Sequence, residues 1–271
     1  MFLQFLGTGP AGAIPRAGHT DAACMDARKG GKSRRRRSAA FLISKETVLL
    51  IDAGPDILEQ LQKARPQKID AVLLTHVHAD ATAGLPLLDH WAGSMGFATK
   101  LPILTDAATA RRLRVHYPHL DYLQFVPIKP FDRIQIGDQD ILPFPVIHGD
   151  VPTYGYRFGK ALAFASDAND LPARSRRALK HIPVLILDGA FFFFQKRLPS
   201  HLTTDETIEW GQRLGVKQLI VTQIGHTYPP HHKAVTAVRS YMNMHGMKTP
   251  AVRLAYDGLR VSITPRSLHR P

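Results

Sequence analysis

Short apolar runs separated by turn residues dominate the first third of the chain. Four of them have the length and composition of buried strands: Phe2–Leu6, Ala40–Ile43, Val48–Ile51 and Ala71–Leu74. Pro55, followed by apolar residues at 57, 58 and 61, predicts an amphipathic helix that ends before Pro66. The spacing of apolar residues from Leu85 to Trp91 predicts another helix after the fourth strand.

From about residue 122 the pattern changes to short β segments broken by proline and glycine. These segments are Leu123–Val126, Arg133–Ile136, Ile141–Val146, Tyr154–Phe158 and Ala161–Ala165. Predicted helices at about 172–180 and 204–214 then alternate with strands at Val184–Leu187 and Gln218–Thr222. We therefore expect an α/β fold, a single domain over residues 1–271, with two mixed sheets facing each other and helices outside. A polar, basic loop is predicted at about 16–38.

Composition excludes several classes of protein. With 44% hydrophobic and 21% charged residues in 271, the chain has the composition of a folded protein rather than a disordered one. No run approaches the roughly 18 apolar residues of a membrane span, and the first residues lack the pattern of a secretory signal. The single cysteine, Cys24, cannot form an intrachain disulfide, so we expect a reducing, cytoplasmic location.

The formal net charge of +13 favours an anionic substrate or partner. Six cationic side chains lie within the nine residues from Lys29 to Arg37. A solvated basic loop explains this run, and so does a surface that grips a nucleic-acid backbone through Lys32 and Arg34–Arg37. We expect a small anionic substrate, with nucleic acid as the alternative partner.

Metal-ligand residues follow the strand Ala71–Leu74 at regular spacing. His76, His78 and Asp80 occupy alternate positions just past this strand, at the end where open α/β sheets bind ligands. Three more ligand types follow later apolar runs: His148, Asp167 and His226. Imidazole and carboxylate donors suit zinc, or manganese and iron. The pattern predicts that residues distant in sequence bind a common cation.

The chain resembles the metallo-β-lactamase superfamily, and within it the PhnP-type cyclic phosphodiesterases. The landmarks begin with segments at Phe5–Gly9, Leu50–Gly54, Leu74–Asp80 and His148–Arg157, and continue with Ser166–Asp167, Pro199–Thr203 and Ile224–His226. The resemblance implies a four-layer αββα sandwich with one or two metal ions at one edge of the two sheets.

The resemblance also implies a role for each ligand. His76, His78 and His148 would hold the first metal, Asp80 and His226 the second, and Asp167 would bridge both. The superfamily usually has a further histidine directly after the motif's aspartate, where this chain has Ala81. We therefore expect the second site to be weaker than the first.

Three further residues receive roles from the same resemblance. Asp52 lies where the family has an aspartate that orients a ligand histidine, and a turn-forming role is the alternative. Asp80 would orient a metal-bound hydroxide, since a divalent cation lowers the pKa of its water to about 7. His201 would donate a proton to the leaving group, or it is a surface residue before a helix.

The loop before residue 25 carries a second set of ligand types. PhnP-type enzymes have three cysteines of a structural zinc site here, and this chain has His19, Asp21 and Cys24, with His231 near the position of the fourth ligand. A preserved structural zinc ion and a small buried cysteine are the two interpretations.

The sequence favours a metal-dependent hydrolase that cleaves a phosphodiester, such as a small cyclic phosphate. A thioester or lactone hydrolase, a nuclease and a non-hydrolytic protein similar to the coenzyme-biosynthesis protein PqqB are alternatives, because one fold serves many chemistries. The four aromatic residues Phe191–Phe194 predict either a cleft lining or a subunit contact, which leaves a homodimer open, or simple core packing.

Overall fold

The computed structural model describes residues 1–194 and 199–263, and its strands form two seven-stranded sheets. The first sheet contains, in spatial order, β14 (Arg260–Ser262), β1 (Phe2–Gly7), β2 (Ala39–Ile43), β3 (Val48–Ile51), β4 (Ala71–Leu73), β5 (Leu101–Thr105) and β6 (Leu123–Pro127). Strands β3 to β6 are parallel, so their carboxyl ends lie at one edge of this sheet.

The second sheet has the same division into antiparallel and parallel parts. It contains, in spatial order, β13 (Ala251–Leu254), β12 (Gln218–Thr222), β11 (Val184–Asp188), β10 (Leu162–Ala165), β9 (Thr153–Phe158), β8 (Gln139–Val146) and β7 (Ile134–Ile136). Strands β10 to β13 are parallel, and β7 to β10 are antiparallel.

Helices cover the outer face of each sheet. They are α1 (Ala22–Arg28), α2 (Ile57–Ala64), α3 (Ala79–Thr82), α4 (Leu85–Ser94), α5 (Ala107–His116), α6 (Ala173–Leu179), α7 (Thr204–Arg213) and α8 (His231–Met244). A capping box between Thr203 and Glu206 fixes the start of α7. Within the two described ranges, no helix is long and apolar enough to cross a membrane.

Three apolar clusters hold the layers together. The central cluster joins the inner faces of the two sheets, with Phe5 and Ile51 from the first sheet and Tyr156 and Phe164 from the second. A second cluster packs the first sheet against α2, α4 and α5, and a third packs the second sheet against α6, α7 and α8. The predicted four-layer αββα sandwich is confirmed.

The segment predicted as a loop at 16–38 is not entirely loop, because it contains α1 and a 3-10 turn at Gly31–Ser33. The Asp21 side chain caps α1, and Cys24 and Ala27 are buried beside Ile14. Small apolar residues at helical spacing are hard to recognise among so many polar neighbours. Strand β5, helices α3, α5 and α8 and the last two strands were also absent from the sequence prediction.

Candidate active site

The loops that follow β4, β8 and β10 meet at one edge of the sandwich. They bring together five of the predicted site residues, His76, His78, Asp80, His148 and Asp167, and the segment between β11 and α7 adds a sixth, His201. Within this group the sets His76–His78–His148, His76–Asp80–Asp167 and His148–Asp167–His201 each have one ligand atom per residue within 4.8 Å of the others. The topology explains this meeting, because all three loops leave strands at the same edge.

Three imidazoles form the centre of the group. Nδ1 of His78 lies 3.4 Å from Nε2 of His148, and Nε2 of His76 lies 4.0 Å from Oδ1 of Asp80. Nδ1 of His148 is 2.8 Å from the carbonyl oxygen of Ser200, which can only accept, so Nε2 of neutral His148 presents a lone pair to the centre. Burial lowers the pKa of His76 to about 4 and also lowers that of His78, so both are neutral at pH 7.

The orientation of His76 is fixed by a buried chain of hydrogen bonds. The Thr75 hydroxyl donates to Oδ2 of Asp52 at 2.9 Å and accepts from Nδ1 of His76 at 2.8 Å. Thr75 also donates its backbone N–H to Oδ1 of Asp52 at 2.8 Å. With its Nδ1 hydrogen used in this way, His76 directs the lone pair of Nε2 into the cluster. Nε2 is buried and has no hydrogen-bond partner among the described residues.

The backbone at Asp52 and Gly54 packs closely against the loop that carries Asp80. Asp52 has φ of 61°, and Gly54 lies so close to the Asp80 loop that an added Cβ would be 1.9 Å from the Asp80 carbonyl oxygen. A positive φ at a residue other than glycine costs free energy and is found most often at functional sites. The link between Asp52 and His76 in this structure is the Thr75 hydroxyl.

Asp167 lies between the imidazoles and is held by two side chains. Ser166 donates its hydroxyl to Oδ2 at 2.6 Å, and the Gln223 amide donates to Oδ1. Burial raises the pKa of Asp167, but the imidazoles of His76, His148 and His201 lower it below its usual range. Gln223 has φ of 59°, a second strained position beside the cluster.

Burial and the neighbouring Asp167 raise the pKa of Asp80 to about 6. Two carboxyl groups in one buried site cannot both ionise easily unless cations are close. Asp80 and Asp167 therefore form a site with a net attraction for positive charge.

His201 forms an ion pair with a fully buried carboxylate. Its Nδ1 lies 2.6 Å from Oδ2 of Asp188, the last residue of β11. Burial alone would lower the pKa of His201, but the charge and hydrogen bond of Asp188 raise it to about 9. Backbone N–H groups of Ala190 and Leu202 donate to the other oxygen of Asp188 and fix its orientation. His201 is therefore protonated at neutral pH and lies with its ring centre 4.9 Å from that of His148.

A cleft of about 660 Å³ opens over this cluster. Its walls include Arg16 and Arg37, which lie in the segment between β1 and β2, as well as Phe191 and His226. Arg37 is held by the Ala11 carbonyl oxygen at 2.9 Å and by Asp56 at 3.0 Å. The cleft thus combines a metal-ligand cluster at its base with two guanidinium groups on its walls.

The structure places the remaining predicted ligands elsewhere. His226 directs Nδ1 to Oδ2 of Asp21 at 3.1 Å, and His19 lies beside the same oxygen. Cys24 is buried, and its sulfur accepts the backbone N–H of Arg16 at 3.3 Å, while His231 contacts the buried Arg35 at 3.0 Å. Cys24 and His231 therefore do not join the ligand group of His19 and Asp21 in this structure.

Most of the Arg34–Arg37 run is engaged inside the protein. Arg35 is buried and donates to Thr8 at 2.8 Å and to the Ala255 carbonyl oxygen. Arg36 pairs with Glu59 and Asp257, and Arg37 pairs with Asp56. Of the four, Arg34 is the exposed one. The interpretation of this run as a continuous nucleic-acid surface is therefore not supported by its side-chain contacts.

Sequence reasoning missed three residues of the site: Thr75, Asp188 and Gln223. Asp188 is the last residue of a fully buried strand, and Asp167 lies two residues past the end of another, so their similar positions were a usable signal. Gln223 directly follows β12 and acts only through Asp167, and no sequence pattern distinguishes it.

Comparisons with known proteins agree with this architecture. A family model described as the beta-lactamase superfamily domain matches residues 47–224. The crystal structure of a diphosphatase from the PhnP family matches this fold with a TM-score of 0.83 over 96% of each chain. The two sequences are 27% identical.

Two curated relatives match this chain over part of their own length. An octanoyltransferase from Porphyromonas gingivalis is 27% identical over 97% of this chain and 52% of that protein. A ribonuclease Z from Methanopyrus kandleri is 31% identical over 58% of this chain and 50% of that protein. The chain spans about half the length of these curated relatives.

Proposed function

Because the chain belongs to the beta-lactamase superfamily, with a metallo-β-lactamase fold similar to that of PhnP, we propose that it is a metal-dependent hydrolase that cleaves a phosphodiester bond in a small anionic substrate. The observation that carries the proposal is the group of three imidazoles and two carboxylates at the base of a cleft with arginine walls. A diphosphatase and a ribonuclease are both enzymes that hydrolyse phosphate linkages, and both are among the relatives.

The residues at the base of the cleft fit a divalent cation. The buried Nε2 of His76 lacks a partner among the described residues, and Nε2 of His148 and Nδ1 of His78 are 3.4 Å apart. Donor atoms around a tetrahedral zinc ion with bonds of about 2.05 Å are separated by about 3.3 Å. We assign His76, His78 and His148 to the cation, with Asp167 and Asp80 beside them. The metal's identity, zinc or manganese or iron, is left to measurement.

When bound there, the cation supplies Lewis acidity and makes water a competent nucleophile near neutral pH. Asp80, at the rim of the cluster, accepts a hydrogen bond from the attacking water and orients it. Asp52 and Thr75 keep the lone pair of His76 directed at the centre. Each of these tasks depends on groups held in place before substrate arrives.

His201 is suited to protonate the leaving group. An alkoxide leaves poorly unless it receives a proton, and the general acid must be protonated at the working pH. Asp188 keeps the pKa of His201 at about 9, so the imidazolium form predominates at pH 7. Because Nδ1 is bonded to Asp188, the proton that His201 donates would be the one on Nε2.

The walls of the cleft favour an anionic substrate. Arg16 has a buried Nε without a partner among the described residues, and Arg37 is fixed by its two contacts. Guanidinium groups recognise phosphate oxygens in a fixed geometry. A cleft of about 660 Å³ lies in the size range of pockets for ligands larger than inorganic phosphate, which admits a cyclic nucleotide or a small diphosphate ester.

A panel of substrates with metal analysis tests the proposal. The panel contains bis(p-nitrophenyl) phosphate, a 2′,3′-cyclic nucleotide, a dinucleoside diphosphate, a precursor tRNA, a thioester and a lactone. We expect turnover of the diesters that a chelator abolishes, and His78→Ala should lose both turnover and bound metal. His90→Ala, which changes an exposed histidine on α4, is the matched control and should retain both.

Four results would overturn the proposal. One is diester turnover that persists in His78→Ala. A second is turnover restricted to the thioester or lactone. The third is a metal-loaded protein inert toward the whole panel, which would favour the non-hydrolytic, PqqB-like alternative. The fourth is cleavage of precursor tRNA alone, which would favour the nuclease.

A further inference from the structure

Helix α8 and the edge strand β13 border a groove of about 400 Å³ that lies apart from the cleft of the candidate active site. The described residues that line the groove and those that line the cleft have no member in common. The floor of the groove is apolar and consists of Val235, Val238, Met242, Met247, Pro250, Val252 and Leu254. Such a floor favours apolar side chains as occupants, and its two methionines can adapt to their shape.

One side of β13 is free for pairing. This strand is the outermost of its sheet and pairs with β12 alone among the described strands. The backbone N–H groups of Ala251 and Ala255 donate to carbonyl oxygens on the β12 side, each at 2.9 Å. Because hydrogen-bonding direction alternates along a strand, the N–H and C=O groups of Val252 and Leu254 point away from β12. The groove thus includes a strand edge that can accept another strand.

Three cationic side chains surround the apolar floor: Arg239, Lys248 and Arg253. All three are exposed, and none forms an ion pair with another residue of the described ranges. No aspartate or glutamate is among the described residues that line the groove. Arg36 and Arg37, by contrast, are paired with carboxylates. The groove therefore has positive charge that an acidic partner can neutralise.

The two faces of β13 offer different contacts. Val252 and Leu254 pack in the apolar cluster that α8 covers, whereas Ala255 belongs to the central cluster between the sheets. Because side chains alternate along a strand, Arg253 lies on the same face as Ala255, at the exposed margin of the sheet. A strand added beside β13 would therefore meet apolar groups on the α8 face and a guanidinium on the other.

We propose that β13 and this groove bind an extended segment of a partner protein in which apolar and acidic residues alternate. The segment adds to the free side of β13 as a further strand, so its main chain pairs with Val252 and Leu254. Its apolar side chains enter the groove beside α8, and its acidic side chains meet Arg253. The proposal does not depend on the reaction that the protein catalyses.

Two other occupants fit the groove less well. A nucleic-acid strand satisfies the cations, but its phosphate backbone cannot reproduce the alternating donors and acceptors of a strand edge. A second copy of this chain would pair β13 with β13 and bring like charges together, since each copy has Lys248 and Arg253 at that edge. An extended acidic polypeptide matches the edge, the floor and the charge together.

Fluorescence anisotropy with the full chain tests the proposal. The probe is a fluorescein-labelled peptide with the sequence Glu-Val-Glu-Leu-Glu-Val-Glu. One control peptide has the same residues grouped as Glu-Glu-Glu-Glu-Val-Leu-Val, and a second has lysine in place of each glutamate. We expect saturable binding of the alternating peptide, about tenfold or more tighter than binding of either control.

Substitutions on β13 separate main-chain pairing from charge. Val252→Pro removes the N–H on the free side, at a position where an edge strand tolerates proline, and should weaken binding about tenfold. Val252→Ile keeps that N–H and an apolar side chain and should bind like the wild type. Arg253→Glu should also weaken binding about tenfold. Lys160→Glu makes the same change of charge at an exposed turn between β9 and β10 and should leave the affinity unchanged.

Failure of the alternating peptide to saturate would overturn the proposal, and so would equal binding of the grouped peptide. A folded Val252→Pro variant with wild-type affinity would exclude strand addition. If that variant does not fold, unchanged affinity in Arg253→Glu would exclude the site. A single-stranded RNA oligonucleotide that displaces the peptide and no longer binds to Arg253→Glu would assign the groove to nucleic acid. A dimer in sedimentation that Val252→Pro dissociates would assign it to a second copy.

Discussion

The hydroxyl of Thr75 connects the buried carboxylate of Asp52 to the imidazole of His76. Thr75→Val removes this hydroxyl at nearly constant volume and leaves two buried groups without a partner, Nδ1–H of His76 and Oδ2 of Asp52. Each buried unsatisfied group costs about 1–3 kcal/mol, so we expect the free energy of unfolding to fall by about 2–6 kcal/mol. The His76 imidazole also loses its tautomer preference, because Nδ1 no longer has an acceptor.

The second consequence of Thr75→Val is weaker metal binding. When the hydrogen moves to Nε2, the lone pair that points into the cluster is lost, and we expect affinity for zinc to fall 10–100-fold. Competition with a chromophoric chelator measures the affinity, and urea titration of the metal-free protein measures stability. Thr75→Ser keeps the hydroxyl and should retain wild-type affinity. Reduced stability with unchanged affinity in Thr75→Val would refute the orienting role.

Four other substitutions have defined outcomes. Gly54→Ala places a Cβ 1.9 Å from the Asp80 carbonyl oxygen, so it should lower the unfolding free energy in urea by about 1–3 kcal/mol; a wild-type value would contradict the close contact. Asp188→Asn removes the anion that raises the pKa of His201 to about 9. Since activity is lost as the acid deprotonates, the alkaline limb of the pH–rate profile should shift to lower pH, and an unmoved limb would argue against His201 as the acid. Arg36→Gln breaks contacts with Glu59 and Asp257 and should cost about 1–3 kcal/mol of stability without changing RNA affinity, whereas Arg34→Gln should change neither; reduced RNA binding in either variant would revive the nucleic-acid surface.

Local signals predicted the parts of the site that follow buried strands. His76, His78 and Asp80 have regular spacing after an apolar run, and His148 and Asp167 lie just beyond later strands. Such residues are recognisable because a parallel sheet directs its carboxyl ends to one edge. Strand positions were predictable for a different reason, because apolar periodicity reports burial. Two facing sheets with helices outside followed from the order of these elements.

The contacts of residues that act through another side chain left no such signal. Asp188 lies at the end of a buried strand, but its hydrogen bond to His201, thirteen positions later, could not be predicted from that position, and Gln223 contacts the site through Asp167. The partner of His226 is set by the path of the loop before α1, which brings Asp21 to it from the other end of the chain. Spacing in the sequence contains no information on these encounters, because they depend on how two distant loops pack.

The sequence also did not show which arginines of the run Arg34–Arg37 are exposed. Arg34–Arg37 are adjacent in sequence, yet the fold gives them different surroundings. Arg35 is buried, whereas Arg36 and Arg37 pair with carboxylates. A guanidinium that is buried or ion-paired contributes little to a surface that binds a phosphate backbone. The net charge of +13 thus speeds the encounter with anions in general, whereas the proposed function makes selection depend on the cleft, whose walls include Arg16 and also the half-buried Arg37, which keeps its contact with Asp56. For this reason, the position of the cationic groups in the fold favours a small phosphate ester over a long nucleic acid.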